Sequence, residues 1–109
     1  MVTMHGLFDL KPEVTADAYC AAFAAFCRHL KDQGYVTDWR FMRRSPHPGY
    51  DRNPPETAFY VGIDFPDRDT AEACYRYVAA DAEPLRTLHR TMNSKVVPTT
   101  TRFFLVEGA

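Results

Sequence analysis

Four stretches of strand-like alternation, amphipathic helical stretches between them and a Pro-rich break in the middle predict an α+β fold. The order is strand, helix, strand, strand, helix, strand. That is a ferredoxin-like βαββαβ sandwich: a four-stranded antiparallel sheet with its helices on one face. At 109 residues the chain fits one domain, 1–109, large enough for a single core. Hydrophobic residues at 46% and aromatics at 14% place it among globular chains and not disordered ones.

Residues 2–10 set the pattern. Val2, Met4, Gly6, Phe8 and Leu10 alternate with Thr3, His5, Leu7 and Asp9, a period of two that marks a half-buried strand. "KPEVT" breaks it, and Thr15 is placed to cap a helix. From Ala16 to Gln33, Tyr19, Phe23, Phe26 and Leu30 recur at spacings of three and four, which predicts an amphipathic helix stopped by Gly34. Cys20 and Cys27 share a face of that helix and are expected as small core residues.

Residues 35–44 alternate again, with Tyr35, Trp39 and Phe41 against Val36, Asp38, Arg40, Met42 and Arg44. Residues 45–56 hold four prolines and no period, and so form a loop. Its length suits a lid or a dimer arm more than a plain hairpin turn. Residues 57–65 give the third strand, with Phe59, Val61, Ile63 and Phe65 on one face. Asp69 and Glu72 have capping-box spacing for a helix that buries Ala73, Cys74 and Tyr77. Pro84 starts a further helical piece, with Leu85, Leu88 and Met92 along one stripe. Residues 96–106 are β-rich and form the fourth strand, where Phe103 and Leu105 compete with Phe104 and Val106 for the inner face.

A sheet with helices on one side has a second face. Parity sends Thr3, His5, Leu7 and Asp9 there, with Asp38, Arg40, Met42 and Arg44 from the second strand and Ala58, Tyr60, Gly62 and Asp64 from the third. This set is mixed and polar, which suits a partly solvated cavity. With the first and third strands side by side at the centre, His5 neighbours Tyr60 and Gly62, and Arg40 lies one strand further on. Arg43 points the opposite way from Arg40 and Arg44, so the arginines do not make one basic patch.

Net charge is −1, which provides no field for nucleic acid or an anionic membrane. The third strand offers at most Tyr60 facing out and lacks the basic start of an RNA-reading sheet, so no nucleic-acid partner is expected. The opening residues lack a signal-peptide pattern and no run is long enough to span a bilayer. With three cysteines in neither a disulfide framework nor a metal spacing, a reducing cytoplasmic location is expected. There is no GxGxxG, no Walker pattern and no ligand cluster, so neither cofactor nor metal is expected.

The stretches "HGLFDLKPEVTADAY" and "WRFMRRS", the Ala- and Phe-rich helix and the short closing strand resemble the dimeric α/β-barrel superfamily, of the stress-responsive A/B-barrel type. More closely, the chain is similar to a small, poorly characterised bacterial family within it. The resemblance implies a homodimer in which two sheets face each other across a two-fold axis. Related barrels include polyketide cyclases, antibiotic-pathway monooxygenases and haem-degrading enzymes. The cyclases carry a first-strand histidine, which His5 matches. Their His-x-x-His-like stretch is missing here, where the comparable region reads "YRYVAADAEPLRTLH". The haem-degrading branch uses a helical histidine, for which His29 and His89 are available.

The expected site follows from these readings. His5 is the candidate acid or base, oriented by Tyr60 or Asp64. Arg40 has two readings, a bidentate hold on a carboxylate ligand or a salt bridge to Asp38 or Asp64. Met42, Arg44, His47 and Tyr50 are further ligand-binding candidates. The functional expectation is a small-molecule-binding barrel, including cofactor-independent enzymes that act on an aromatic or carboxylated metabolite. The alternative is a non-catalytic structural or regulatory homodimer.

Overall fold

Period-two alternation becomes one antiparallel sheet. The computed structural model describes all of residues 1–109. Strands β1 (Val2–Phe8), β2 (Asp38–Arg43), β3 (Phe59–Phe65) and β4 (Arg102–Glu107) lie in the order β2-β3-β1-β4. Helix α1 (Ala16–Asp32) connects β1 to β2, while α2 (Arg68–Ala79) and α3 (Leu85–Asn93) connect β3 to β4. The expected βαββαβ order therefore holds, with the second helical layer in two pieces.

Local chemistry explains the ends of α1. Thr15 accepts a hydrogen bond from the Ala18 backbone at 3.1 Å. At the other end Gly34 adopts φ +87°, the left-handed conformation that glycine tolerates best. Its N–H reaches Lys31 O at 2.9 Å and the Tyr35 N–H reaches Leu30 O at 3.0 Å, the paired bonds of a Schellman stop. Tyr35 is thereby spent on ending the helix, which is why β2 begins at Asp38 and not at residue 35.

Helix α2 departs from the expected cap. Asp67, two residues before Asp69, accepts from the Thr70 N–H at 2.7 Å, because β3 ends at Phe65 and Asp67 is the first side chain able to reach back over the new turn. Glu72 pairs with Arg68 instead, at 3.4 Å. The helix buries Ala71 and Cys74, while Ala73 and Tyr77 are only half-buried. Pro84 sits at the cap and not inside α3, whose stripe buries Leu85 and Met92.

The core lies between the helices and the Val2–Phe8 parity set of the sheet. Phe8 is 1% exposed, and its ring meets Tyr19 at 5.0 Å and Phe59 at 6.3 Å. Phe23, Leu30, Val61 and Leu85 complete the most deeply buried set. Cys27 joins them, but Cys20 is exposed: two turns nearer the helix start, the same azimuth is no longer covered. Burial pushes the Cys27 thiol up, and the Cys74 thiol up to about 11, so neither is a thiolate at neutral pH.

Truncating Phe8 to Ala opens a cavity at the junction of β1, α1 and β3. We expect a loss of about 3–5 kcal/mol in unfolding free energy. A chemical denaturation curve should show a lower midpoint with an unchanged slope.

Candidate functional site

Pairing register determines which side chains share the uncovered face. Arg40 and His5 both align with Gly62, from opposite sides, while Tyr60 aligns with Leu7 and Met42, and Asp64 with Thr3 and Asp38. On the far side of β1, His5 aligns with Phe104 and Leu7 with Arg102. The ambiguity in the last strand is thus resolved: Arg102, Phe104 and Val106 belong to the open face, Phe103 and Leu105 to the helix side.

Two polar pairs occupy the middle of this face. The Tyr60 hydroxyl is hydrogen-bonded to Nδ1 of His5, and the His5 ring stacks on Phe104 with centroids 5.4 Å apart. Beside them Arg40 forks onto Asp64, Nη1 to Oδ2 at 3.1 Å and Nη2 to Oδ1 at 3.2 Å. The Thr3 hydroxyl donates to the same Oδ1 at 2.7 Å. Asp64 is only 8% exposed and Thr3 only 7%.

Gly62 makes the second pair possible. A Cβ at that position would stand 2.8 Å from Arg40 Cζ, so the guanidinium packs on bare backbone and would have to shift to make room for any other residue. The electrostatics follow from the contacts. The Arg40 hydrogen bond, helped by Thr3 and opposed by burial, holds the Asp64 carboxyl below the usual range. The Arg40 guanidinium is shifted up, first by Asp64 and further by the Tyr60 oxygen next to it.

The expected residues thus divide. His5 and Tyr60 meet directly, while Asp64 serves Arg40 and Thr3 and does not orient His5. Of the two readings for Arg40, the salt bridge to Asp64 is present. Met42 stands on the same face, 54% exposed. Arg44, His47 and Tyr50 belong to a separate unit where β2 runs into the 45–56 loop. Arg44 pairs with Asp51 at 2.9 Å, and His47 Nδ1 accepts from the Gly49 and Tyr50 backbones at 3.0 and 3.2 Å. The loop thereby closes on itself, and no hydrogen bond or ion pair links it to His5 or Arg40. The Tyr50 side chain stands in solvent.

Thr3, Gly62 and Phe104 were missed as site residues. Parity placed Thr3 and Gly62 on the correct face, but their roles depend on which residue lies across from them. The other histidines are engaged elsewhere, His29 with the Tyr77 hydroxyl at 2.8 Å and His89 with the Asn93 side chain at 3.0 Å. Tyr75 and His89 border an open depression of about 340 Å³ beside Asp81, away from the sheet face.

A four-stranded antiparallel sheet with helices on one face and an uncovered polar centre on the other defines a ferredoxin-like fold. The chain belongs to the family of unknown function DUF6614, whose model matches residues 1–105. Among solved structures it is similar to SnoaB, a cofactor-independent oxygenase from Streptomyces nogalater. There the TM-score is 0.66 at 13% identity, covering 99% of this chain and 92% of that one. It is also similar to a dimeric ferredoxin-like protein of unknown function from Jannaschia sp. CCS1, with a TM-score of 0.65 at 12% identity and 98% coverage of both chains. The protein At3g17210 from Arabidopsis thaliana matches with a TM-score of 0.71 at 6% identity, over 100% of this chain and 96% of its own. At such identities the likeness is one of fold. No curated protein matches the sequence. No helix is long and apolar enough to cross a membrane.

The depressed Asp64 pKa sets a pH dependence. A lowered folded value means the contribution is present above the ordinary 3.8 and is lost as pH falls through the lower, folded value. Asp64→Asn should flatten the acid limb of a stability–pH profile measured by thermal melting. Gly62→Ala, which lifts Arg40 off the sheet, should flatten the same limb without touching a titrating group.

Proposed function

We propose that two copies of this chain pair through their open sheet faces and enclose a cavity for a small aromatic or carboxylated metabolite, on which His5 and Tyr60 perform acid–base chemistry. The observation that carries this reading is the Tyr60–His5 hydrogen bond, placed beside a neutralised Arg40–Asp64 pair on a sheet face that no helix covers. A phenol hydrogen-bonded to an imidazole forms a donor–acceptor relay along which a proton can move. The hydroxyl gives its proton to Nδ1 and takes one from an acidic C–H or O–H of the ligand. Arg40, within reach of the Tyr60 oxygen, favours the negative charge that forms there. This proton transfer is complete with the chain's own residues, and SnoaB offers a precedent on this fold for chemistry without a cofactor.

A second reading is a non-catalytic structural or regulatory homodimer. It is favoured by the completeness of the Thr3–Asp64–Arg40 network, whose hydrogen bonds are made within one chain.

The two readings separate by ligand response. A panel of aromatic and carboxylated metabolites, screened by thermal shift and then by turnover, should yield a ligand of the wild-type protein. Tyr60→Phe and His5→Ala should each reduce turnover by about 100-fold or more while folding normally. Full turnover by both variants would remove the acid–base assignment. A wild-type dimer that responds to no member of the panel favours the structural reading.

A further inference from the structure

Among the strand residues of the open face, two charges make no ion pair within the chain, and they stand at diagonally opposite corners; Asp9 and Glu56 line a depression beside the second of them, Arg102. Asp38 begins β2 and aligns across the sheet with Asp64, Thr3 and, on β4, Val106. Arg102 begins β4 and aligns in the other direction with Leu7, Tyr60 and, on β2, Met42. Both are exposed. The Asp38 side chain makes only a local bond to the Trp39 N–H at 2.8 Å, and the Arg102 side chain enters no hydrogen bond or ion pair. The remaining corners, Val106 and Met42, are apolar and exposed by 47% and 54%.

Strand spacing makes this patch nearly square. Three gaps between strands span roughly 14 Å, and the four-residue run from the first row to the last spans about the same. A square patch that packs on a copy of itself through a two-fold axis has four simple choices. With the axis along or across the strands, Asp38 and Arg102 each face Val106 or Met42, and neither charge gains a partner. When the axis follows the Asp38–Arg102 diagonal, Asp38 meets Asp38 and Arg102 meets Arg102, which repels. The remaining axis, along the Met42–Val106 diagonal, places Asp38 over Arg102 twice and lays each apolar corner on itself.

We propose that this last arrangement is the dimer: an isologous, near-orthogonal packing of the two sheets, clamped by two symmetry-related Asp38–Arg102 ion pairs. The occupant of the face is a second copy of this chain, selected by charge complementarity that only this orientation supplies. The inference rests on the homodimer reading above and adds its orientation and its specificity residues. The paired charges sit at the rim of the shared face, which leaves His5, Tyr60 and Arg40 toward the enclosed middle.

The test is a charge exchange read by sedimentation velocity at low salt. Asp38→Arg and Arg102→Asp should each weaken the wild-type dimer by about tenfold or more, since each substitution acts at two symmetric places. The double variant should return to within about threefold of wild type. The neutral pair Asp38→Asn and Arg102→Gln provides the same comparison should a reversal impair folding, checked by circular dichroism. A dimer unmoved by the single substitutions, or a double variant weakened as the product of the two, overturns the orientation and leaves the dimer standing. A wild-type chain that stays monomeric at all concentrations overturns the dimer reading as well.

Discussion

A carboxylate at the centre of a sheet demands a cation, and the polar face is built around meeting that demand. Asp64 sits on central strand β3, 8% exposed, where an unpaired charge would be costly. Arg40 supplies the cation from β2 and Thr3 a donor from β1, so one carboxylate ties three strands together. Such a pair adds little net stability compared with well-packed apolar side chains, but removing one member strands the other. Its value lies in register. A one-residue slip of β2 would turn Arg40 toward the helices and leave Asp64 with Trp39 or Phe41 beside it.

Gly62 shows how the same constraint shapes the site. The guanidinium needs a floor without a side chain, and the floor lies in line with both Arg40 and His5. Arg40 is thereby held low enough to reach Asp64 with its fork, with Tyr60 near enough to help raise the guanidinium pKa. Tyr60 in turn reaches His5, and Phe104 closes the other side of the imidazole. Two sets of contacts, Thr3–Asp64–Arg40 and Tyr60–His5–Phe104, thus lie side by side across the four strands.

Much of this was legible from residue order. Parity alone put His5, Arg40, Tyr60 and Asp64 on one face, and the strand order implied by the βαββαβ pattern made His5 a neighbour of Tyr60. Parity gave no answer for "RFFLVE", because apolar residues occupy both positions of the period, and only the pairing of β4 with β1 assigns Phe104 to the site. Partner choice was likewise hidden. Asp64 orients Arg40 and not His5 because the fork geometry suits a guanidinium and a carboxylate one strand apart. The loop candidates went elsewhere for a related reason: a Pro-rich segment with its own Asp and His can satisfy itself, and Arg44 goes to Asp51 seven residues away.

The edge strand carries the remaining argument. Every residue of β4 is exposed, with Phe103 and Leu105 on the helix side and Phe104 and Val106 on the open side. An edge strand with apolar side chains on both faces is a liability for indiscriminate pairing. Here the strand is short and bracketed by Arg102 and Glu107, charges that discourage an extended ladder with a stranger. A negative charge facing Arg102 and apolar surface facing Phe104 and Val106 would complement this strand, and under the proposed dimer the open face of a second copy presents both. Arg102, one of the two charges that guard the free edge, is thus also the one that the proposed Asp38–Arg102 pairing uses.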